Sequence, residues 1–158
     1  MTPLPKLDPW HQSHLGHWLR LALNRFDERV LQLMAQHPGV PLGLSNLAAR
    51  AQVGAAHLHI TRHLPRDGAR LTALAQNAGM TKQAMGALVT QCEAWGMVQR
   101  TPDPLDARAR RIEFTATGQA WLNAFQEAVA QAQAEMHDAI SPEVATVIAL
   151  GLEAYAGQ

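Results

Sequence analysis

Between Leu71 and Val89 two short helical patterns meet at Ala78-Gly79-Met80, and this interruption constrains the fold more than anything else in the chain. Leu71, Leu74, Ala75 and Met80 fall on one stripe and Ala84, Leu88 and Val89 on another, so each pattern has one face to bury against the other. Packing the two together needs a sharp turn, which Gly79 supplies because glycine enters left-handed backbone without a Cβ clash. Small residues at Ala75 and Ala84 are expected to let the helices approach closely. Thr72 opens or caps the first helix, Ala73 to Asn77. Thr81 caps the second, Lys82 to Trp95, and Gly96 ends it.

The next stretch changes period. Met97 to Arg100 and Arg111 to Thr115 are short alternating runs separated by Pro102-Asp103-Pro104-Leu105-Asp106, which reads as a strand, a turn-rich loop and a returning strand. A helix pair alone is equally an ordinary packing unit with a solvated polar end. With a hairpin behind it, the pattern becomes a mainly α, winged helix-turn-helix.

The flanks are helical. Trp10 to Gln36 places Leu15, Trp18, Leu19, Leu23, Phe26, Val30, Leu33 and Met34 on one stripe, and His37-Pro38-Gly39-Val40-Pro41 stops it. Ser45 is expected to cap a helix from Asn46 to Leu64, closed by Pro65 and followed by a turn at Arg66-Asp67-Gly68. Beyond Gly118, Trp121, Leu122, Phe125, Ala128, Val129, Ala132 and Met136 line a helix to Ile140. Ser141 and Pro142 start a last one that runs to about Tyr155. The expected organisation is one compact chain: an N-terminal dimerisation helix (1–41), the winged helix-turn-helix (42–118) and C-terminal dimerisation helices (119–158). A second copy is the natural cover for long amphipathic helices in so short a chain.

The chain is formally neutral, but its charge is unevenly placed. Arg62 to Arg111 carries eight basic residues against four acidic ones, and the remainder carries the matching acidic excess. A basic centre on an acidic scaffold suits a duplex-DNA partner. Within the second helix, Lys82 and Gln83 stand where side chains reach base edges, lysine toward guanine and glutamine toward adenine. Thr72 and Thr81 suit phosphate oxygens, Gly86 suits close approach of backbone, and Thr90 lies one helical turn further on.

Other chemistries find little support. There is no glycine-rich phosphate loop, nucleophile elbow or paired metal motif, so no enzyme is expected. His14 with His17, and His59 with His63, have spacings that share a helix face, but no acidic or cysteine ligands accompany them. Neither metal nor cofactor is expected. Cys92 falls on an apolar position of the second helix, where a buried inert thiol is expected, and a single cysteine fits a reducing cytoplasm. Met1 to Pro9 lacks an apolar leader, and no apolar run approaches the ~18 residues that span a bilayer, so a cytoplasmic protein without a membrane partner is expected. The competing class is a protein-interaction or structural winged-helix module without operator binding.

The run from Leu71 to Gly118 resembles the MarR family of winged helix-turn-helix transcriptional regulators. The resemblance rests on Met80-Thr81-Lys82-Gln83-Ala84, Leu88-Val89, Glu93-Ala94-Trp95-Gly96-Met97-Val98, Asp103-Pro104-Leu105-Asp106-Ala107-Arg108 and Phe114-Thr115-Ala116-Thr117-Gly118. It implies a ligand-responsive repressor acting as a homodimer on a pseudo-palindromic operator. In that scheme Arg108 is the wing arginine that enters the minor groove, Asp106 orients it, and Arg100, Arg110 and Arg111 add backbone or minor-groove contacts. It also implies an effector, such as a small aromatic acid, held between the dimer helices and the DNA lobe. The candidate lining is Trp10, His14, His17, Trp18, His57, His59 and Arg62. The segment from Gln36 to Ser45 reads as longer than the family commonly has.

Overall fold

The computed structural model describes residues 7–157. In chain order the elements are α1 (Trp10–Ser13), α2 (Leu15–Gln36), α3 (Leu42–Ala49), α4 (Ala55–His63), β1 (Ala69–Arg70), α5 (Leu71–Asn77), α6 (Lys82–Ala94), β2 (Val98–Asp103), β3 (Asp106–Phe114), α7 (Ala116–Ile140) and α8 (Pro142–Ala156). The three strands form an antiparallel sheet in the order β1-β3-β2. In it Val98 stands opposite Phe114, Arg100 opposite Ile112, and Ala69 also opposite Ile112. The register slips between Pro102 and Asp103, where proline has no N–H to offer the ladder.

The core gathers one face from nearly every element. Trp121, Met34, Leu44, Leu58, Ile60, Leu74, Met85, Met97 and Ile112 are all essentially inaccessible. Trp121 of α7 also donates its indole N–H to the buried Thr61 hydroxyl of α4 at 3.1 Å, so this large side chain leaves no orphan donor inside. Long-range ion pairs secure α2 from two sides. Arg29 donates to both carboxylate oxygens of Glu135 on α7 (2.6 and 2.8 Å), and Arg62 of α4 holds the buried Asp27.

Several expected boundaries move. The first helix is broken at His14, whose extended backbone leaves its ring Nδ1 free to accept the His17 N–H at 3.2 Å and cap α2. The expected helix Asn46 to Leu64 is two helices. Ala51 takes φ +56°, and the buried Val53 uses the bend to reach the core. Ser45 therefore lies inside α3, its hydroxyl donating to the Leu42 carbonyl at 3.1 Å, and caps nothing. Because α3 already begins at Leu42, the connection after α2 is only residues 37–41, not the longer one expected. Thr72 sits within α5, which starts at Leu71 directly after a two-residue strand too short to leave a periodic trace.

The recognition pair packs as expected through Leu74, Ala75, Leu88 and Val89, except that Met85 takes the place expected of Ala84. Met85, Val89 and Cys92 are the buried positions of α6, whereas Ala84 is exposed. The turn itself is as expected, with Gly79 at φ +62°.

The two ends of the chain are less complete. Leu15, Trp18, Leu21 and Leu23 on α2 stay exposed. So do Val144, Val147, Ile148, Leu150, Leu152 and Tyr155 on α8, where Ala145 alone is buried. At Ser141 the chain bends by 117° between α7 and α8. Among the described residues no single helix is long and apolar enough to cross a membrane.

Candidate nucleic-acid interface

The exposed side of α6 begins at a well-made cap. The Thr81 hydroxyl accepts the Ala84 N–H at 3.1 Å, and Lys82 and Gln83 stand exposed in the first turn. Thr72 is exposed on the neighbouring α5. Gly86 is half-buried on the side of α6 toward α5. A Cβ there would meet Leu71 of α5 at an ordinary 3.6 Å, so the close approach it permits is between helices. Thr90 is exposed on α6, but its hydroxyl is engaged: it donates to the Gly86 carbonyl at 3.0 Å and accepts from Arg100 at 3.1 Å.

The expected cations divide into free and committed groups. Arg108 and Arg110 are exposed on β3 and, among the described residues, have no side-chain hydrogen bond or ion pair; Lys82 likewise has none. Asp106 accepts the Arg108 backbone N–H at 3.0 Å, so it shapes the start of β3 rather than gripping the guanidinium. Arg100 pairs with Glu93 of α6, whose carboxylate also accepts the Arg100 backbone N–H at 3.2 Å. Arg111 donates to the carbonyls of Asp67 and Gly68, both at 2.8 Å, and pins that turn.

Two further residues, neither of them among the expected DNA contacts, build the wing. Arg70 donates through Nε to Asp103 at 2.6 Å, and the other carboxylate oxygen of Asp103 accepts the Leu105 N–H at 2.8 Å. Asp103 is nearly buried. The Arg70 bond, helped by Leu105, holds its carboxyl below the usual carboxylate range. Neither residue has a local signal, since 33 positions separate them. The hairpin tip beyond Asp103 leaves Leu105 93% exposed.

The Thr115-to-Gly118 exit is a clasp. Thr115 caps α7 by accepting the Gly118 N–H at 3.0 Å, while its hydroxyl donates to the Gly96 carbonyl at 2.5 Å. A Cβ on Gly118 would collide with the Met97 carbonyl, so only glycine lets α7 start against β2.

The candidate effector residues do not share one cavity. Trp18 lines a cleft of about 1040 Å³ between α2 and α7, with Leu21, Phe26, Met136 and Ile140. His14, His17, Trp10 and Trp18 form a run of ring contacts, with His17 at 5.3 Å from Trp18. His57 packs instead on Trp95 and accepts the Gly54 N–H at Nδ1, which leaves Nε2–H to donate to Gln91 of α6 at 2.8 Å. His59 stacks on His63, and Arg62 is spent on Asp27. A second cleft of about 680 Å³ lies beside Asp27 and Glu28, between α2 and α3. Cys92 is fully buried, and burial pushes its thiol up to about 12.

The MarR family model matches residues 58–109. No curated protein matches the chain in sequence. Among solved structures, the transcriptional repressor CouR bound to a 23-mer DNA duplex superposes with a TM-score of 0.67 at 21% identity, covering 98% of this chain and 100% of that one. CouR from Rhodococcus jostii RHA1 bound to p-coumaroyl-CoA gives 0.65 at 18% identity, covering 92% and 93%. BpsR of Bordetella bronchiseptica, whose DNA binding is regulated by 6-hydroxynicotinic acid, gives 0.65 at 17%, covering 98% and 99%. Such identities speak to fold. The chain thus takes the winged-helix fold of these regulators over nearly its whole length and matches the MarR family's model over its central third.

Proposed function

We propose that the chain is a sequence-specific duplex-DNA-binding transcriptional regulator, a cytoplasmic homodimer that represses from a pseudo-palindromic operator and responds to a small effector. One observation carries this reading. The exposed first turn of α6, with Thr81, Lys82 and Gln83, belongs to the same helix that Arg100 ties to the wing bearing Arg108 and Arg110. A helix N-terminus presents unpaired N–H groups to phosphate and its side chains to the major groove, while free arginines suit a narrow minor groove.

In this scheme Gln83 and Lys82 read base edges, Thr72 and Thr81 hold phosphates, and Arg108 and Arg110 serve the wing. Asp106 sets the backbone that presents Arg108. Arg100 and Arg111 support the surface instead of touching DNA. Residues 42–118 form the reading unit, and 1–41 and 119–158 form the dimerisation helices. Their exposed apolar faces favour a second copy as cover. The cleft beside Trp18 has the size of small-molecule sites, and two neighbours of this fold are described with such ligands.

Selection of bound sequences from random duplex DNA tests the reading and supplies the operator. Arg108→Ala combined with Gln83→Ala is expected to abolish operator binding while the dimer persists. Unchanged affinity in that variant, or an affinity indifferent to salt, would instead favour a protein-interaction module.

A further inference from the structure

Arg100 looks like a DNA-facing cation in sequence, yet every donor direction described for it points into the protein. Its guanidinium meets Glu93 through Nη1 and the Thr90 hydroxyl through Nη2 at 3.1 Å, and its backbone N–H reaches the same Glu93 carboxylate at 3.2 Å. Thr90 is itself fixed, because its hydroxyl donates to the Gly86 carbonyl at 3.0 Å. Glu93 and Arg100 are each roughly one-third exposed, so the pair lies at the solvent margin, where α6 passes the first strand of the wing.

We infer that Glu93, Arg100 and Thr90 form a clamp that fixes the wing relative to the recognition helix and, by withholding one cation from phosphate, favours operator over unrelated DNA. This rests on the DNA-binding reading above. The physical argument has two parts. Sequence-specific binding needs the major-groove and minor-groove readers at one fixed separation, and an ordered polar link between α6 and β2 supplies it. Non-specific affinity rises with each phosphate neutralised, irrespective of sequence, so a cation paired with Glu93 is one that unrelated DNA cannot use. Glu93 is a positioning residue in this account, and it acts through Arg100.

The test uses the full chain with two fluorescent duplexes: the operator obtained by selection, and a scrambled duplex of equal length and composition. Glu93→Ala is expected to weaken operator binding about tenfold, the scale of a lost specific contact. On the scrambled duplex the same variant is expected to bind more tightly, with a salt slope more negative by about 1.8, because the dimer's two copies of Arg100 are each released to a phosphate. Arg100→Ala is expected to lose a similar amount on the operator with no steeper slope, and the double variant to lose no more than Arg100→Ala alone. Glu93→Gln keeps the side chain's size and an oxygen for the Arg100 N–H while removing the charge. It is expected to steepen the scrambled-duplex slope even if Glu93→Ala folds poorly.

An unchanged ratio of operator to scrambled affinity in Glu93→Ala and Glu93→Gln would overturn the clamp. So would a parallel loss on both duplexes with a lowered melting temperature, which is what a merely structural contact produces. A wild-type chain that does not discriminate the two duplexes would overturn the DNA-binding reading itself, and the clamp with it.

Discussion

The reading unit and the helical ends of this molecule treat their surfaces in opposite ways. Between Asp67 and Gly118 a set of polar links inside the unit holds the surface in shape, Arg70 to Asp103, Arg100 to Glu93, Arg111 to the Asp67 and Gly68 carbonyls and Thr115 to Gly96, and leaves Lys82, Arg108 and Arg110 free among the described residues. The ends are matched only along one side. Arg29 and Glu135 join α2 to α7, but the apolar residues of α8 and the first half of α2 remain open to solvent. A surface finished from within presents a fixed pattern of charge, whereas one left apolar asks for another polypeptide. The first is suited to being read against DNA, the second to assembly.

The comparison breaks most visibly at the open end. Val147→Glu with Leu150→Glu places two charges on exposed α8 positions and touches no core residue. The expected result is a folded monomer in sedimentation analysis, with operator affinity reduced at least about a hundredfold because only one half-site is engaged. The finished unit has a different weak point. Gly118→Ala sets a methyl against the Met97 carbonyl and is expected to cost about 3 kcal/mol in urea unfolding, at the upper end of overpacking effects. Thr61→Val orphans the buried Trp121 indole N–H and is expected to cost about 2 kcal/mol in the same assay.

Acid sharpens the comparison more gently. The folded chain holds the Asp103 carboxyl below its ordinary value, chiefly through Arg70, so the fold favours the ionised form. That contribution is complete above the unfolded carboxylate value of about 4 and fades as pH falls toward the depressed folded one. Urea midpoints between pH 3 and 6 are expected to drop at the acid end in the wild type, and to drop less in Asp103→Asn. The smallest effect belongs to Gly86→Ala. With ordinary room beside Leu71, it is expected to stabilise α6 by about 0.5 kcal/mol and leave DNA affinity unchanged. A clear loss of affinity there would return Gly86 to the DNA-contacting set.

What was legible in the sequence follows the same division. The turn at Gly79 and the Thr81 cap are local patterns and stand where their residues predict, whereas the hairpin is longer than expected, β2 reaching Asp103 and β3 starting at Asp106, and the first helix is broken at His14. The missed features are those decided by distant partners. β1 has two residues and exists because Ala69 and Arg70 pair with Ile112 and Arg111. The break between α3 and α4 follows from Val53 turning into the core, and its one local mark is the adjacent Gly54, which caps α4. Arginines carried the same ambiguity. Arg100, Arg108, Arg110 and Arg111 look alike in sequence, and only the positions of Glu93 and two carbonyls reveal which are spent.

The Arg29–Glu135 pair spans 106 positions of chain, and this has a consequence for biosynthesis. At a synthesis rate of about 5–20 residues per second, α2 leaves the ribosome about 5–20 s before the part of α7 that covers it. Throughout that interval α3 and α4 are already present beside it, but the side of α2 that α7 covers has no native neighbour. The nascent N-terminal helix is therefore the segment most in need of chaperone shelter, and the last third of the message sets when the protein closes.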